Sequence, residues 1–240
     1  MRSLIAAALL AATPLPIPPL RQANLDTLAP LGFKVAPGLP TDRGRGKVRL
    51  RPAREIATRL YGLAAVFCWA GVPQDQMRDE VLETAMMKGR LIDLATTPDL
   101  QILDLPRLDA RRKYGDTVGW RLENMWALAW VLGMEEPPSL GGQISADVQR
   151  KMLVDFLKFP KETPESFLKR AKLRPVEEVD RMEDLFYCAH NAVRSAQQGR
   201  DTVPAGFHAV RDGGAIHERR HALTWVLSPD VDWEEVDLST

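Results

Sequence analysis

The sequence predicts an all-α fold, a single helical domain of about seven to nine helices around a tryptophan-rich core helix. Three observations carry this expectation. Apolar residues recur at alternating three- and four-residue spacing in most periodic stretches, which marks one face of a helix. No stretch shows the two-residue alternation of several strands. Residues 120–133 hold Trp120, Trp126 and Trp130, and from Met125 onward they are apolar on nearly every side. A surface helix shows one apolar stripe, whereas a helix apolar all round belongs inside a core. Gly133 supplies its stop.

Taken in order, the chain begins with Met1 and Arg2 before an apolar run, residues 4–12, and then prolines Pro14, Pro16, Pro18 and Pro19. Residues 1–20 read as an extension that is either disordered or a secretory signal, since a charge followed by an apolar run fits a signal but the prolines crowd its cleavage region. The run falls short of the ~20 apolar residues of a membrane span, and no other stretch approaches one. Residues 21–240 form the domain. Residues 21–31 read as a short helix stopped by Pro30 and Gly32. In the loop that follows, Arg43, Arg45, Lys47, Arg49 and Arg51 alternate with Gly44, Gly46, Val48 and Leu50. Extended, that alternation puts every cation on one face. It reads as an anion-binding ribbon or as a solvated edge paired with the acidic tail, and zero net charge favours the edge.

Pro52 suits a first helical turn because its missing N–H is not needed there. Ile56, Leu60, Leu63, Phe67 and Ala70 then form a stripe, ended by Gly71 and Pro73. A second helix is expected over 74–87, with Met77, Val81, Leu82 and Ala85 inward. Pro98, Pro106 and Gly115 interrupt 96–119, which reads as a short helix or an irregular connection. After the tryptophan-rich helix and the loop at Pro137, Pro138, Gly141 and Gly142, Ser145 or Asp147 caps a helix bearing Val148, Met152, Phe156 and Phe159. Thr163 and Pro164 open a short helix. A long helix over 175–198 carries the stripe Val179, Met182, Phe186, Ala189, Val193 and Ala196. The last helix, 215–227, ends before Pro229, and Trp233 and Val236 anchor the acidic tail.

Composition narrows the function classes. Thirty-two basic side chains balance 32 acidic ones, whereas a dedicated nucleic-acid binder carries a basic excess or face. Cys68 and Cys188 fall in helical segments without a Cys-x-x-Cys spacing, so they read as buried free thiols that demand no oxidising compartment.

Two helices echo one another. Glu123, Ala127, Leu128, Trp130, Val131 and Leu132 match Glu218, Ala222, Leu223, Trp225, Val226 and Leu227 at a constant offset of 95 residues. If both helices face the core, each carboxylate needs a basic partner or hydrogen bonds. Arg121, Glu123, Glu218, Arg219 and Arg220 therefore form the expected structural charge network. Trp120, Trp126, Trp130, Trp225 and Trp233 form the expected central core.

One motif could carry chemistry. His217-Glu218-Arg219-Arg220-His221 matches His-Glu-x-x-His, which on a helix offers zinc two imidazoles one turn apart, with Glu218 as general base for a bound water. His190 is the candidate third ligand, with Glu234, Glu235 and Asp237 as downstream carboxylates. Against zinc, two arginines occupy the x positions, and no later histidine completes the longer metalloprotease motif. His190 also lies beside Phe186 and Val193, where a lone histidine is ordinarily a hydrogen-bonded core residue. No glycine-rich phosphate loop, no Gly-x-Ser-x-Gly elbow and no nucleophile-like cysteine is present.

Several blocks together resemble the bacterial family of domain of unknown function 4272. They are Trp120-Arg121-x-Glu123 through Leu132-Gly133, Asp184-Leu185-x-Tyr187 to Arg194, Glu218-Arg219-Arg220-x-Ala222-Leu223-x-Trp225, and Asp232-Trp233-x-x-Val236. Leu39-Pro40 and the run from Arg49 to Leu60 add to them. The resemblance implies a helical fold and carries no catalytic residues over. What it matches around Glu218 is Arg219 and Arg220 rather than His217 and His221, which favours ion pairing there. The chain departs from the pattern at Ala189-His190-Asn191-Ala192, where another aromatic is expected. The resulting expectation is a non-enzymatic binding or interaction protein with no cofactor, a protein or small-molecule partner, no nucleic acid and no membrane span. Its expected location is cytoplasmic, or exported if residues 1–20 are a signal. The alternative is a zinc-dependent hydrolase built on His217, Glu218, His221 and His190.

Overall fold

A computed structural model describes residues 17–41 and 48–240, and the regular elements among them are all helical. The N-terminal run 1–16 and the cations Arg43, Arg45 and Lys47 lie outside the described residues. The helices are α1 (Pro19–Leu28), α2 (Ala53–Gly71), α3 (Asp79–Gly89), α4 (Thr97–Leu103), α5 (Arg107–Tyr114) and α6 (Arg121–Val131). They continue with α7 (Ala146–Arg150), which runs on as a wider π turn over Lys151–Phe156, then α8 (Pro164–Leu168), α9 (Val176–Gln197) and α10 (Arg211–Val226). No described helix is long and apolar enough to cross a membrane.

Packing runs as a series: α1 lies on α9, α9 on α10, α10 on α6 and α6 on α2, while α3, α4, α5 and α8 gather around α2. The sequence stripe on α2 is only part of what is buried. Every residue from Ile56 to Ala70 is enclosed, because Tyr61, Ala64, Val66 and Cys68 complete the apolar circumference and partners arrive on all sides. Gly62 marks how close they come: a Cβ there would sit 3.0 Å from the Leu91 carbonyl. On α6, the residues from Leu122 to Val131 are all buried. Gly133 ends that segment at φ 106°, a conformation that a side chain strongly disfavours.

Residues 96–119 hold two helices. The signal is a capping box: the Asp99 N–H donates to Thr96 Oγ1 at 3.3 Å and the Thr96 N–H donates to Asp99 Oδ2 at 3.2 Å. Each side chain satisfies a backbone donor that the first turn leaves open. Ser145 and Thr163 cap α7 and α8 as their sequence positions suggest.

The expected tryptophan core divides in two. Trp126, Trp130 and Trp225 are buried, whereas Trp120 and Trp233 are only half-buried. Trp120 stands in the 3-10 turn Val118–Trp120 ahead of α6, with its ring laid on α10 where a Cβ on Gly214 would come within 2.7 Å. Trp233 belongs to the tail turn Trp233–Glu235, its ring held between the Arg59 guanidinium, 4.3 Å away, and the edge of Trp225.

Candidate ligand-binding cleft

A cleft of about 530 Å³ opens where α2, α4, α6, α10 and the tail meet. Helix α2 supplies Arg59 and Leu63, and the start of α4 supplies Thr96 and Asp99. Arg121 and Asn124 come from α6, with Trp120 just before it. His217, Glu218 and His221 come from α10, and Trp233 and Glu234 close the cleft from the tail. Such a volume suits a small molecule.

Asp99 organises one wall. Arg59 Nη1 donates to its Oδ2, and Arg121 donates to Oδ1 from Nε at 3.1 Å and from Nη2 at 2.9 Å. Burial works to raise the Asp99 carboxyl, but Arg59 and Arg121 outweigh it and hold the group below the ordinary carboxylate range. Arg59 also donates to the Leu94 carbonyl at 3.1 Å. Its Nε is buried without a hydrogen-bond partner among the described residues, and burial lowers its pKa despite Asp99.

Glu218 faces the opposite situation. Its Oε2 accepts from Asn124 Nδ2 at 3.0 Å, and the same amide donates to the Glu218 backbone carbonyl at 2.7 Å. No cation lies within salt-bridge distance of the carboxyl among the described residues. Burial pushes it above the ordinary range; His217, the Asn124 bond and Arg121 pull the other way, and nearby Glu123 adds to the rise. Desolvation without a paired cation favours the protonated acid. A carboxyl in that form can donate a hydrogen bond as well as accept one.

The histidines do not converge. His221 Nε2 lies 2.8 Å from the Trp233 carbonyl, which only accepts, so that nitrogen carries the hydrogen. His190 Nδ1 lies 2.7 Å from Arg220 Nη1, which only donates, so in the neutral ring Nε2 carries the hydrogen. His217 packs edge-on against His190 with ring centres 5.3 Å apart, while His221 packs against Trp233 at 4.5 Å. Burial pushes His190 down to about 3, with the Arg220 charge adding to it. Burial likewise takes His221 down to about 4 against the pull of the Trp233 carbonyl. Among the described residues no three His, Cys, Asp or Glu side chains come together as a metal cage.

The family model of DUF4272, a domain of unknown function, matches residues 20–236. The chain belongs to the DUF4272 family. No curated protein and no solved structure matches it. The DUF4272 match runs from α1 into the tail, so it includes Asp99, Arg121, Asn124, Glu218 and Trp233.

Within this DUF4272 chain the five expected charge-network residues separate into distinct contacts. Glu123 and Arg219 pair deep in the core. Arg219 donates to Glu123 Oε2 from Nη2 at 2.6 Å and from Nε at 2.9 Å, and the two side chains are 0% and 2% exposed. Arg121 departs from expectation by turning to Asp99, and Arg220 by turning away from both glutamates of the echo. Arg220 Nε lies 3.6 Å from Glu183 Oε1, and Nη1 donates to the Leu238 carbonyl at 2.8 Å. Their places on the helix decide this: the three arginines leave their axes in different directions, and only Arg219 points into the contact between α6 and α10.

Sequence reasoning passed over Asp99, Arg59 and Asn124. Thr96 followed three residues on by Asp99 is a legible capping signal; nothing in the sequence pairs Asp99 with two distant arginines. Arg51 also differs from the cation-ribbon reading. It is buried and donates to the Ser228 carbonyl at 2.7 Å and the Val231 carbonyl at 2.6 Å, with its guanidinium 4.0 Å from the Trp225 ring. Arg49 pairs with Asp230 in the tail.

Proposed function

We propose that this DUF4272 protein is a non-enzymatic binding protein for a small polar molecule, seated in the cleft between α2, α6, α10 and the tail. The observation that carries the reading is the Glu218 carboxyl, half-buried in the cleft without a cation at salt-bridge distance and bonded only to the Asn124 amide among the described residues. A desolvated acid in a cavity is costly unless a partner completes it. The ligand offers a hydrogen-bond acceptor to Glu218 and sets a flat or apolar body against Trp120 and Trp233. Asp99, Arg59 and Arg121 serve as a rigid wall, and the tryptophan-rich helix α6 as the element the cleft is built on. The buried thiols of Cys68 and Cys188, which form no disulfide with each other, suit a reducing compartment such as the cytoplasm.

A thermal-shift screen of small polar metabolites tests this, run on the wild type beside Glu218→Ala and Trp120→Ala. A ligand at about 100 times its Kd stabilises by about 2.7 kcal/mol. Compounds that stabilise the wild type and lose that effect in Glu218→Ala support the reading. Shifts that persist undiminished in both variants overturn it.

A second reading, a zinc-dependent hydrolase, is favoured by one observation: His217, Glu218 and His221 all line the same cleft. It requires His221 to release the Trp233 carbonyl or to bind through Nδ1, and a third ligand other than His190. Elemental analysis of the tag-free protein beside His217→Ala/His221→Ala decides it. Near-stoichiometric zinc that disappears in the variant supports the hydrolase; absence of zinc with unchanged stability retires it.

A further inference from the structure

A second concavity of about 500 Å³, which shares no lining residue with the Glu218 cleft, lies between α3, the 3-10 turn Leu91–Leu94 and α4. Its floor is apolar: Met87 is 74% exposed, Ile92 57% and Leu100 40%, with Met86 and Leu103 half-buried beside them. Isolated exposed apolar residues need no explanation, but a contiguous group in a groove marks a binding surface. The rim is acidic. Glu83, Asp93 and Asp104 stand against one cation, Arg90, and Asp93 already holds Arg90 at 2.9 Å. Glu83 and Asp104 have no ion pair among the described residues. Lys or Arg flanking an apolar stripe would supply what this rim lacks.

We propose that this groove docks a basic amphipathic helix of a partner protein. Apolar side chains at i, i+3 or i+4 and i+7 fill the floor, and Lys or Arg on the flanks meet Glu83 and Asp104. Charge complementarity of this kind sets which helices are accepted and speeds encounter more than it adds affinity. Unbranched, polarisable methionines let one groove fit helices of differing side-chain shape. The surface is separate from the Glu218 cleft, so this docking stands whether or not that cleft binds a small molecule.

The test is fluorescence anisotropy with a labelled Leu/Lys amphipathic peptide of about 14 residues and its Leu/Glu counterpart. The proteins are the full chain, Met87→Ser/Leu100→Ser and Glu83→Lys/Asp104→Lys, with sedimentation run alongside. These substitutions fall on exposed or rim positions, and circular dichroism checks that each variant keeps its helices. The expected result is saturable binding of the Leu/Lys peptide that weakens with salt, falls at least about tenfold in the serine variant and shifts toward the Leu/Glu peptide in the lysine variant. Equal binding of both peptides, or binding indifferent to the serine variant, overturns the proposal. So does a self-association of the chain that the serine variant abolishes, because the occupant is then a second copy.

Discussion

Replacing Glu123 by glutamine keeps the shape of the side chain and removes one charge. Arg219 is then a fully buried guanidinium without a counter-ion. Its remaining bonds go to neutral groups: the Ser139 carbonyl at 2.5 Å and the Gly142 carbonyl at 2.9 Å, with the Trp126 ring 4.7 Å from the guanidinium carbon. Breaking one side of a buried pair costs about 3–5 kcal/mol, against a total stability of roughly 5–15 kcal/mol. For a chain of this size each kcal/mol moves the melting temperature by roughly 2–4 °C, so Glu123→Gln is expected to melt about 6–20 °C lower. Glu123 also accepts from the Ile144 N–H at 2.9 Å, so the pair pins the connection between α6 and α7 from both sides. Limited proteolysis should therefore find that connection first. The double variant Glu123→Gln/Arg219→Met removes both charges together and should lose less than the sum of Glu123→Gln and Arg219→Met. Urea unfolding of the four proteins measures this. A Glu123→Gln loss below about 1 kcal/mol, or strict additivity in the double variant, would refute the claim that Arg219 depends on that charge.

Asp99→Asn leaves Arg59 and Arg121 facing each other across a neutral amide, with an expected loss of about 3–5 kcal/mol by urea unfolding. Because the Asp99 carboxyl is depressed in the folded chain, its contribution is fully present above the unfolded value near 4. It is lost as pH falls through the folded one, so the variant's deficit should shrink in acid. His190 and His221, pushed down to about 3 and about 4, act over a higher window. Their unfolded forms take up protons below about 6.5 while the folded forms resist, so stability falls as pH drops from 7 to 5, by about 2 kcal/mol per histidine. His190→Gln and His221→Gln should each flatten the plot of melting temperature against pH in that window. An unchanged slope would show that those rings take up protons as readily in the folded protein as in the unfolded chain.

The helical class was legible because periodic apolar spacing needs no knowledge of partners, and so were the caps Ser145 and Thr163, whose action is local. α2 shows the limit of stripe counting. Its Ile56, Leu60 and Leu63 were read as a single face, yet Tyr61, Gly62, Ala64, Ala65 and Val66 carry the same all-round apolar signature that identified residues 120–133. The destination of each arginine was not legible. Arg51, Arg59 and Arg121 look alike in sequence as cations among apolar neighbours, but Arg51 clamps the tail, Arg59 stacks on Trp233 and pairs with Asp99, and Arg121 braces the other oxygen of Asp99. Long side chains are placed by what the tertiary fold brings within reach, sometimes more than a hundred residues away, as with Arg51 and Val231. Trp120, at the head of an all-round apolar segment, and Trp233, an apolar anchor in an acidic tail, read as core; as cleft walls they keep one part packed and another open.

The echo between α6 and α10 explains why only one of its two carboxylates is a candidate site. The residue after Glu123 is Asn124, which reaches across to Glu218 with a neutral amide. The residue after Glu218 is Arg219, which reaches back to Glu123 with a guanidinium. Two glutamates in matching frames thus receive opposite treatment: one is paired with a guanidinium, the other is left desolvated beside a cavity. If that exchange sets their states, the Glu218 carboxyl carbon, followed by NMR with labelled glutamate, should titrate above the ordinary glutamate value near 4.3. The assignment comes from its disappearance in Glu218→Gln. Removing the amide with Asn124→Leu takes away the hydrogen bond that favours the ionised form, so the titration should move further up. A downward move, or none, would mean that the cavity already solvates Glu218, and the cleft would lose the feature that makes it a site rather than a gap in packing.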